Sequence, residues 1–234
     1  MVGCDGSWTG PGGAGSGYLV TSGTTRVLMD AGPGTFANLQ RYVDPATIDA
    51  VTLSHQHPDH WTDLHSLATF RRFVMEGRPI PVYAPAGLAE RAGLPKSAVI
   101  AFRAVTAGES VGIGSLTCMF QRTDHPVETL AVRIDGGGRA LGYSADTGPD
   151  WSLADLGTGL DLVLSEATYT CDHEGTAQHM SGRQAGEQAR TAGARRLVIT
   201  HRWPTVSPSE LVAEAASAFG GPVEVAAIGK EFVL

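Results

Sequence analysis

The segment "TLSHQHPDHWTD", residues 52–63, holds three of the eight histidines in this chain together with an aspartate. His55 and His57 are two residues apart and can point the same way if the backbone is extended, and the proline after them turns the chain toward Asp59 and His60. Imidazoles and carboxylates are natural ligands for borderline divalent cations such as zinc. The segment therefore predicts two neighbouring metal positions, although clustered histidines also occur in solvated loops and in hydrogen-bonded cores.

Further candidate ligands stand at the ends of apolar runs that are typical of strands. The runs "AVTLSH", "QRTDH", "GYSAD" and "LVITH" end in His55, His125, Asp146 and His201, respectively. Ligands in α/β architectures gather at the carboxyl ends of strands, because the strand fixes the direction and the following loop is free to vary. Taken singly, His125 fits a solvent-facing position, and Asp146 the start of a turn, better than either fits a ligand role. Their shared position predicts that they meet.

The elements that must position these residues can be read from periodicity. Short apolar runs predict nine strands, at residues 17–22, 26–31, 49–54, 116–124, 129–135, 139–146, 161–167, 195–201 and 223–228. Helical patterns occur at residues 35–43, 62–74, 181–193 and 207–220. In the last of these, Ser207 is the predicted N-cap. Strands come in runs early and alternate with helices later, which fits sheets packed face to face with helices outside.

Composition and charge narrow the class of protein. The 234 residues, 42% of them hydrophobic, suffice for a substantial core, and no linker or repeat interrupts them, so we expect one domain over residues 1–234. The net charge of -7 disfavours loose binding to nucleic acid. Without a long apolar run or a basic, apolar start, we expect a cytoplasmic protein that does not contact membranes. The odd, widely spaced Cys4, Cys118 and Cys171 are expected to be reduced and structural.

Several motifs together resemble one known superfamily. "HQHPDH" resembles the H-x-H-x-D-H signature of the metallo-β-lactamase superfamily, and the other motifs stand in the order typical of that superfamily: "MDAGPG", "TDHPVETLAVRI", "YSADTG" and "THRWP". The resemblance spans nearly the whole chain. It implies an α/β fold, the four-layer αββα sandwich of the metallo-β-lactamase type, whose halves meet at a dinuclear metal site.

The resemblance also implies a ligand set. One metal would be held by His55, His57 and His125, and the other by Asp59, His60 and His201. Asp146 would bridge the two metals, and Asp30 in "MDAGPG" would fix the ligand loop without touching a metal. Two divalent cations are implied, with zinc as the default and manganese or iron as alternatives.

Residues 165–201 resemble the phosphodiesterase, or ribonuclease Z-like, branch, which includes tRNA 3′-processing endonucleases and atypical bacterial cyclic-nucleotide phosphodiesterases. In that branch the histidine matching His179 lies beside the metals and the glutamate matching Glu166 orients it. The resemblance thus implies a catalytic set of His179, Glu166 and Asp59, in which His179 gives a proton to the leaving alkoxide. The alternative is that His179 is an exposed loop residue before a helix that Ser181 caps.

The expected substrate is a small phosphodiester. Only a strand, a short turn and another strand join His125 to Asp146, which leaves no room there for the long arm that grips tRNA in the endonucleases. "GCDGSWTGPGGAGSGYLV" and "THRWP" resemble actinobacterial atypical cyclic-AMP phosphodiesterases. The expectation is a hydrolase that cleaves a cyclic nucleotide or another small phosphodiester by a hydroxide bridging two metals, without a stable nucleic-acid complex. The sequence leaves the oligomeric state open, although homodimers are common in the branch that the chain resembles.

Other functions stay open at this point. A hydrolase of a lactone, thioester or β-lactam would use the same metals to polarise a carbonyl group, and an endonuclease without the arm or a non-catalytic binding module would keep the same fold. Trp8, Trp61 and Trp203 stand in or beside motif loops, where they either line a nucleobase site or brace the loops. The glycines of residues 10–17 are interpreted as a flexible rim loop and residues 171–179 as a mobile flap.

Overall fold

The computed structural model describes residues 1–75, 78–95 and 97–234. Strands are found at β1 Tyr18–Ser22, β2 Thr25–Met29, β3 Ala50–Thr52, β4 Ile80–Ala84, β5 Ile100–Ala104, β6 Ser110–Ile113, β7 Leu116–Arg122, β8 Leu130–Gly136, β9 Arg139–Tyr143, β10 Leu162–Glu166, β11 Leu197–Thr200 and β12 Val223–Val225. Helices are found at α1 Thr35–Leu39, α2 Leu64–Val74, α3 Leu88–Arg91, α4 Gly182–Thr191 and α5 Pro208–Phe219.

The strands form two sheets. The first has the order β1-β2-β3-β4-β5, in which β1 and β2 are antiparallel and the other pairs are parallel. The second has the order β12-β11-β10-β9-β8-β7-β6 and is parallel from β12 to β9 and antiparallel from β9 to β6. In each sheet the parallel strands end at one common edge, which is where side chains from several loops can meet.

Three apolar layers hold the sheets and helices together. Between the sheets lie side chains from both, including Val27, Phe120 and Leu164. Helices α1 and α2 cover the outer face of the first sheet through Leu39, Leu64 and Leu67. Helices α4 and α5 cover the outer face of the second sheet through Ala185, Ala189 and Leu211. The architecture is therefore the predicted αββα sandwich, in which each fully buried leucine contributes about 1.5 to 3 kcal/mol.

The predicted elements all exist, and all except β8 are shorter than their patterns. Helix α1 ends at Leu39 instead of residue 43. Ser181 caps α4 through a reciprocal pair of hydrogen bonds with Gln184. Ser207 stands at the N-cap of α5 but does not cap it, because its hydroxyl pairs with that of Ser209 at 2.9 Å.

Three strands and one helix were not predicted from the sequence. Strand β4 contains a proline and β6 a glycine, residues that weaken a strand pattern. Helix α3 has four residues, too few to show a helical period. In the described ranges, none of the helices has the length and apolarity needed to cross a membrane.

Candidate metal centre

The candidate ligands lie in loops at the carboxyl ends of four strands. His55, His125 and Asp146 each follow their strand, β3, β7 and β9, by three residues, whereas His201 comes directly after β11. The expectation that each strand ends in its ligand is therefore right for His201 and wrong by three residues for the others. His201 itself has φ 51°, in the left-handed region that non-glycine residues seldom adopt, so the chain turns sharply at the ligand.

The first group of ligand atoms comes from His55, His57, His125 and Asp146, and these atoms lie within 4.8 Å of one another. His57 Nδ1 is 3.0 Å from His55 Nε2 and 3.2 Å from His125 Nε2. Asp146 Oδ2 lies 3.6 Å from His55 Nε2. The extended backbone of His57, followed by the 3-10 turn Pro58–His60, separates this group from the next.

The second group comes from Asp59, His60 and His201. Asp59 Oδ2 is 3.2 Å from His201 Nε2 and 3.5 Å from His60 Nε2. Asp146 Oδ1 is 3.3 Å from the Nε2 atoms of both histidines. One oxygen of Asp146 thus faces each group, which is the arrangement that the sequence motifs implied.

Hydrogen bonds on the far side of the rings set which nitrogen points inward. His60 Nδ1 lies 2.8 Å from Asp30 Oδ2, and His125 Nδ1 lies 3.2 Å from the Gln178 carbonyl oxygen. His55 Nδ1 lies 3.0 Å from the hydroxyl of Ser54. Burial lowers the pKa of His55 and His125, and in these neutral rings the donating outer nitrogen leaves a lone pair on the inner nitrogen, directed into the centre. Burial also lowers the pKa of His60, but the carboxylates around it raise the pKa well above its usual value, so its inner nitrogen would release a proton on binding a cation.

The inward-facing nitrogen and oxygen atoms are arranged to bind a divalent cation. His55 Nε2 and His125 Nε2 both face His57 Nδ1, at 3.0 and 3.2 Å, and a proton on His57 Nδ1 can satisfy only one of these two acceptors. His60 Nε2 and Asp146 Oδ1 are buried without a hydrogen-bond partner in the described part of the chain, and such groups are costly unless something satisfies them. Burial lowers the pKa of His57 and His125, so their rings are neutral and available as ligands at neutral pH. Burial opposes ionisation of Asp146, but the neighbouring histidines hold its pKa well below the usual range.

His179 and Glu166 form a pair beside these groups. His179 Nδ1 lies 2.9 Å from Glu166 Oε1, and the His179 ring stacks against His201 with centroids 5.3 Å apart. Glu166 is fully buried and also accepts from the Thr147 amide and the Thr168 hydroxyl, each at 2.7 Å. Burial lowers the pKa of His179, but the charge of Glu166 and its hydrogen bond raise it to about 9.

Three residues of the centre were not predicted from the sequence. Tyr143 donates to Asp30 Oδ2 at 2.7 Å, and Ser54 donates to both oxygens of Asp30, through its amide at 2.8 Å and its hydroxyl at 2.9 Å. Thr168 lies 3.1 Å from His201 Nδ1. Each of these residues stands inside or next to a recognised motif, so its position beside a candidate ligand could have pointed to it. The hydrogen-bond partners of the three residues, however, are remote in sequence.

The glycine-rich N-terminal segment packs under the ligand loop. The Ser7 amide donates to Asp59 Oδ2 at 2.9 Å. Residues 14–18 are buried, and a Cβ added to Gly15 would lie 2.5 Å from the Asp59 carbonyl oxygen. The interpretation of residues 10–17 as a rim loop is therefore wrong for the second half of that segment.

Trp61, His65 and the three cysteines do not belong to the two ligand groups. Trp61 is 8% exposed and donates from its indole nitrogen to the Gln56 carbonyl oxygen at 2.9 Å, so it braces the loop. His65 on α2 is exposed. Cys4 and Cys118 are buried free thiols, while Cys171 is free and exposed.

Residues 25–202 match the family described as Beta-lactamase superfamily domain. The chain belongs to this superfamily. Protein Rv1339 of Mycobacterium tuberculosis is 35% identical over 248 residues, covering 99% of this chain and 90% of that protein. The probable metallo-hydrolase YhfI of Bacillus subtilis is 32% identical over 240 residues, covering 98% and 96%.

Structure and sequence agree on this placement. The crystal structure of YhfI, described as a metallo-beta-lactamase fold protein, superposes with a TM-score of 0.92 at 31% identity, covering 98% of this chain and 96% of that one. A ribonuclease Z from Methanopyrus kandleri is 30% identical over 249 residues, covering 90% and 88%. The predicted superfamily, its ribonuclease Z-like branch and the fold class are thereby confirmed. Together with the His/Asp cluster, they indicate a divalent-metal-dependent hydrolase.

Proposed function

We propose that this hydrolase is a phosphodiesterase that cleaves a cyclic nucleotide or a similarly small phosphodiester. The observation that carries the proposal is the His179–Glu166 pair, whose histidine lies within 4.8 Å of ligand atoms from Asp146 and His201. Phosphodiester cleavage releases an alkoxide that needs a proton, and a histidine held by a buried carboxylate beside the reacting centre supplies one.

In this proposal the two groups described above hold two divalent cations, with Asp146 shared between them. When bound, such cations supply positive charge against the phosphoryl oxygens and lower the pKa of the attacking water. Asp59, whose Oδ2 lies 3.2 Å from His201 Nε2 in the second group, would hold a cation there and orient the attacking water. Zinc as the metal and a homodimeric assembly stay predictions.

His179 acts through the nitrogen that Glu166 leaves free. Because Nδ1 donates to Glu166 Oε1, the proton to be transferred sits on Nε2. Glu166 is held by the Thr147 amide, the Thr168 hydroxyl and, at 3.1 Å, the Met180 amide, so its carboxylate cannot swing away. The pair is rigid, which keeps the imidazolium aimed at the leaving oxygen.

The connections around the centre favour a small substrate. Strands β8 and β9 are joined by the two residues 137–138, and β7 and β8 by residues 123–129. Neither connection offers a protruding arm for tRNA, and a chain with a net charge of -7 does not attract a polyanion over a wide surface. The similarity to ribonuclease Z keeps an endonuclease as the second candidate.

The test compares two phosphodiesters whose leaving groups differ in their need for a proton. His179→Ala should lower kcat on cyclic AMP by about 100- to 10,000-fold, because its leaving alkoxide is a strong base. On bis-p-nitrophenyl phosphate the loss should be much smaller, since p-nitrophenolate leaves without protonation. Metal content, measured by elemental analysis, should be retained.

The control is His65→Ala, which removes an exposed histidine on α2 and should change neither rate. Equal losses of metal and turnover in His179→Ala would show that His179 is only structural. A wild-type protein that hydrolyses a lactone or a β-lactam but neither phosphodiester would overturn the proposal in favour of carbonyl chemistry.

A further inference from the structure

Two tryptophans at the rim of the metal centre are not buried. Trp8 is 45% exposed and Trp203 is partly exposed, and their ring centroids lie 5.7 Å apart with the planes 35° from parallel. The other two tryptophans of the chain, Trp61 and Trp151, are 8% and 7% exposed. Tryptophan surface is therefore left to solvent at this rim, whereas the other two tryptophans are covered.

The pair is fastened directly to the ligand loops. Trp203 follows His201 by two residues, and its indole nitrogen donates to the Ser7 hydroxyl at 3.1 Å. The Ser7 amide in turn donates to Asp59. Ser7 has φ 63°, an uncommon conformation for a residue with a side chain, and it turns the chain so that Trp8 meets Trp203.

Trp203 also contacts an aromatic residue that bonds to the segment carrying His179. The Tyr169 ring is 5.6 Å from Trp203, and its hydroxyl lies 2.8 Å from the carbonyl oxygens of both Ala177 and His179. The exposed His173 ring stands edge-on to Trp203 at 6.4 Å. The aromatic cluster thus spans the rim from the Asp59 side to the His179 side.

We propose that Trp8 and Trp203 form a stacking platform for the planar base of a nucleotide whose phosphodiester reaches the metal centre. The inference rests on the proposed function, because it assigns a site to the part of the same substrate that does not react. Stacking on an aromatic face accepts any base, since every base has a π face. The platform therefore selects nucleotides over phosphodiesters that lack an aromatic ring, without choosing among bases.

The test uses two cyclic esters that differ only in the base: adenosine 3′,5′-cyclic phosphate and 1-O-methylribose 3′,5′-cyclic phosphate. The wild type should show a higher kcat/KM for the ester with the base. In Trp8→Leu that preference should fall about 5- to 150-fold, the range expected for loss of one stacked base. Trp8→Phe, which keeps an aromatic face, should retain most of the preference.

The matched control is Tyr42→Leu. Tyr42 is an aromatic residue of similar exposure, 43%, whose hydroxyl lies beside Gly229 and not at the metal centre. It should leave the preference unchanged. If Trp8→Leu lowers kcat/KM equally for both esters, or if the wild type hydrolyses both esters equally well, the proposal of a stacking platform is wrong.

A binding measurement separates the platform from the proposed reaction. Adenosine 5′-monophosphate should quench the tryptophan fluorescence of the wild type at concentrations at least about 5-fold lower than ribose 5-phosphate, and this difference should vanish in Trp8→Leu. If neither cyclic ester is hydrolysed but this difference holds, the proposed function fails and the platform stands. If the cyclic esters are hydrolysed but the two monophosphates quench equally, the stacking platform is wrong and the proposed function stands.

Discussion

Asp30 is the residue that fixes the orientation of His60 in the second group of candidate ligands. Its Oδ2 accepts hydrogen bonds from His60 Nδ1, the Ser54 hydroxyl and the Tyr143 hydroxyl, at 2.7 to 2.9 Å. Asp30 itself has φ 54°, so its backbone is held in an uncommon conformation that points the carboxylate under the ligands. The orientation of His60 is thus set by a residue that never meets a metal in the proposed centre.

Removing one donor to Asp30 should weaken metal binding without removing a ligand. Tyr143→Phe deletes the 2.7 Å hydrogen bond and lets the carboxylate tilt, so we expect metal affinity to fall about 10-fold. Tyr18→Phe is the control, because Tyr18 is equally buried and packs against Tyr143 at 5.1 Å but bonds to Thr200. Chelator competition measures both variants, and equal affinities in both would contradict the role of Tyr143.

Thr168 joins the proposed acid to the metal ligands. Its hydroxyl donates to Glu166 Oε2 at 2.7 Å and lies 3.1 Å from His201 Nδ1, so one side chain holds both the orienting carboxylate and a ligand. Thr168→Val keeps the shape but removes the hydroxyl, and kcat on cyclic AMP should fall about 10- to 100-fold. Thr168→Ser should recover most of the rate. If Ser and Val behave alike, packing and not the hydrogen bond is what matters.

At the scale of elements, the centre depends on close contact between two loops. The loop after β2 and the loop after β3 touch where Gly32 meets Asp59, and a Cβ at Gly32 would lie 1.9 Å from the Asp59 carbonyl oxygen. Backbone atoms cannot yield as a flexible side chain does. The glycine is therefore required for this approach and not for an unusual backbone angle.

Gly32→Ala should push the Asp59 loop away and lower both metal occupancy and stability, the latter by about 1 to 3 kcal/mol as in other overpacked sites. Gly112→Ala in β6 is the matched control, since a Cβ there would meet no atom within 4 Å. Thermal unfolding and elemental analysis measure the two effects. Normal metal content in Gly32→Ala would show that the loop tolerates the displacement.

The elements were predictable where a pattern is local and not where contacts are distant. The apolar runs that became β3, β9 and β11 carry their own signal, and the ligands follow in the same segments. By contrast, Tyr143 bonds to Asp30 across 113 residues and Trp203 to Ser7 across 196. Sequence reasoning therefore placed the ligands, but it could not tell that Trp61 braces a loop whereas Trp8 and Trp203 line the rim.

At the scale of the whole molecule, the centre is shared between the two sheets. Loops of the first sheet supply His55, His57, Asp59 and His60, and loops of the second supply His125, Asp146 and His201. Neither sheet alone supplies the first or the second group described above, because each of these two groups combines side chains from both sheets. Cations bound there would link the sheets across the same interface that the apolar core between them already joins.

Metal removal should therefore destabilise the entire sandwich and not only the loops. A cation that binds the folded chain at 100 times its Kd adds about 2.7 kcal/mol, which for a domain of this size raises Tm by about 5 to 10 °C. Chelation should lower Tm by that amount, since it leaves His60 Nε2 and Asp146 Oδ1 buried without partners. In Asp146→Ala, which removes the residue facing both groups, Tm should be low from the start and insensitive to chelator. His65→Ala should respond as the wild type does, and a wild type whose Tm ignores the chelator would show that the cations do not hold the sheets together.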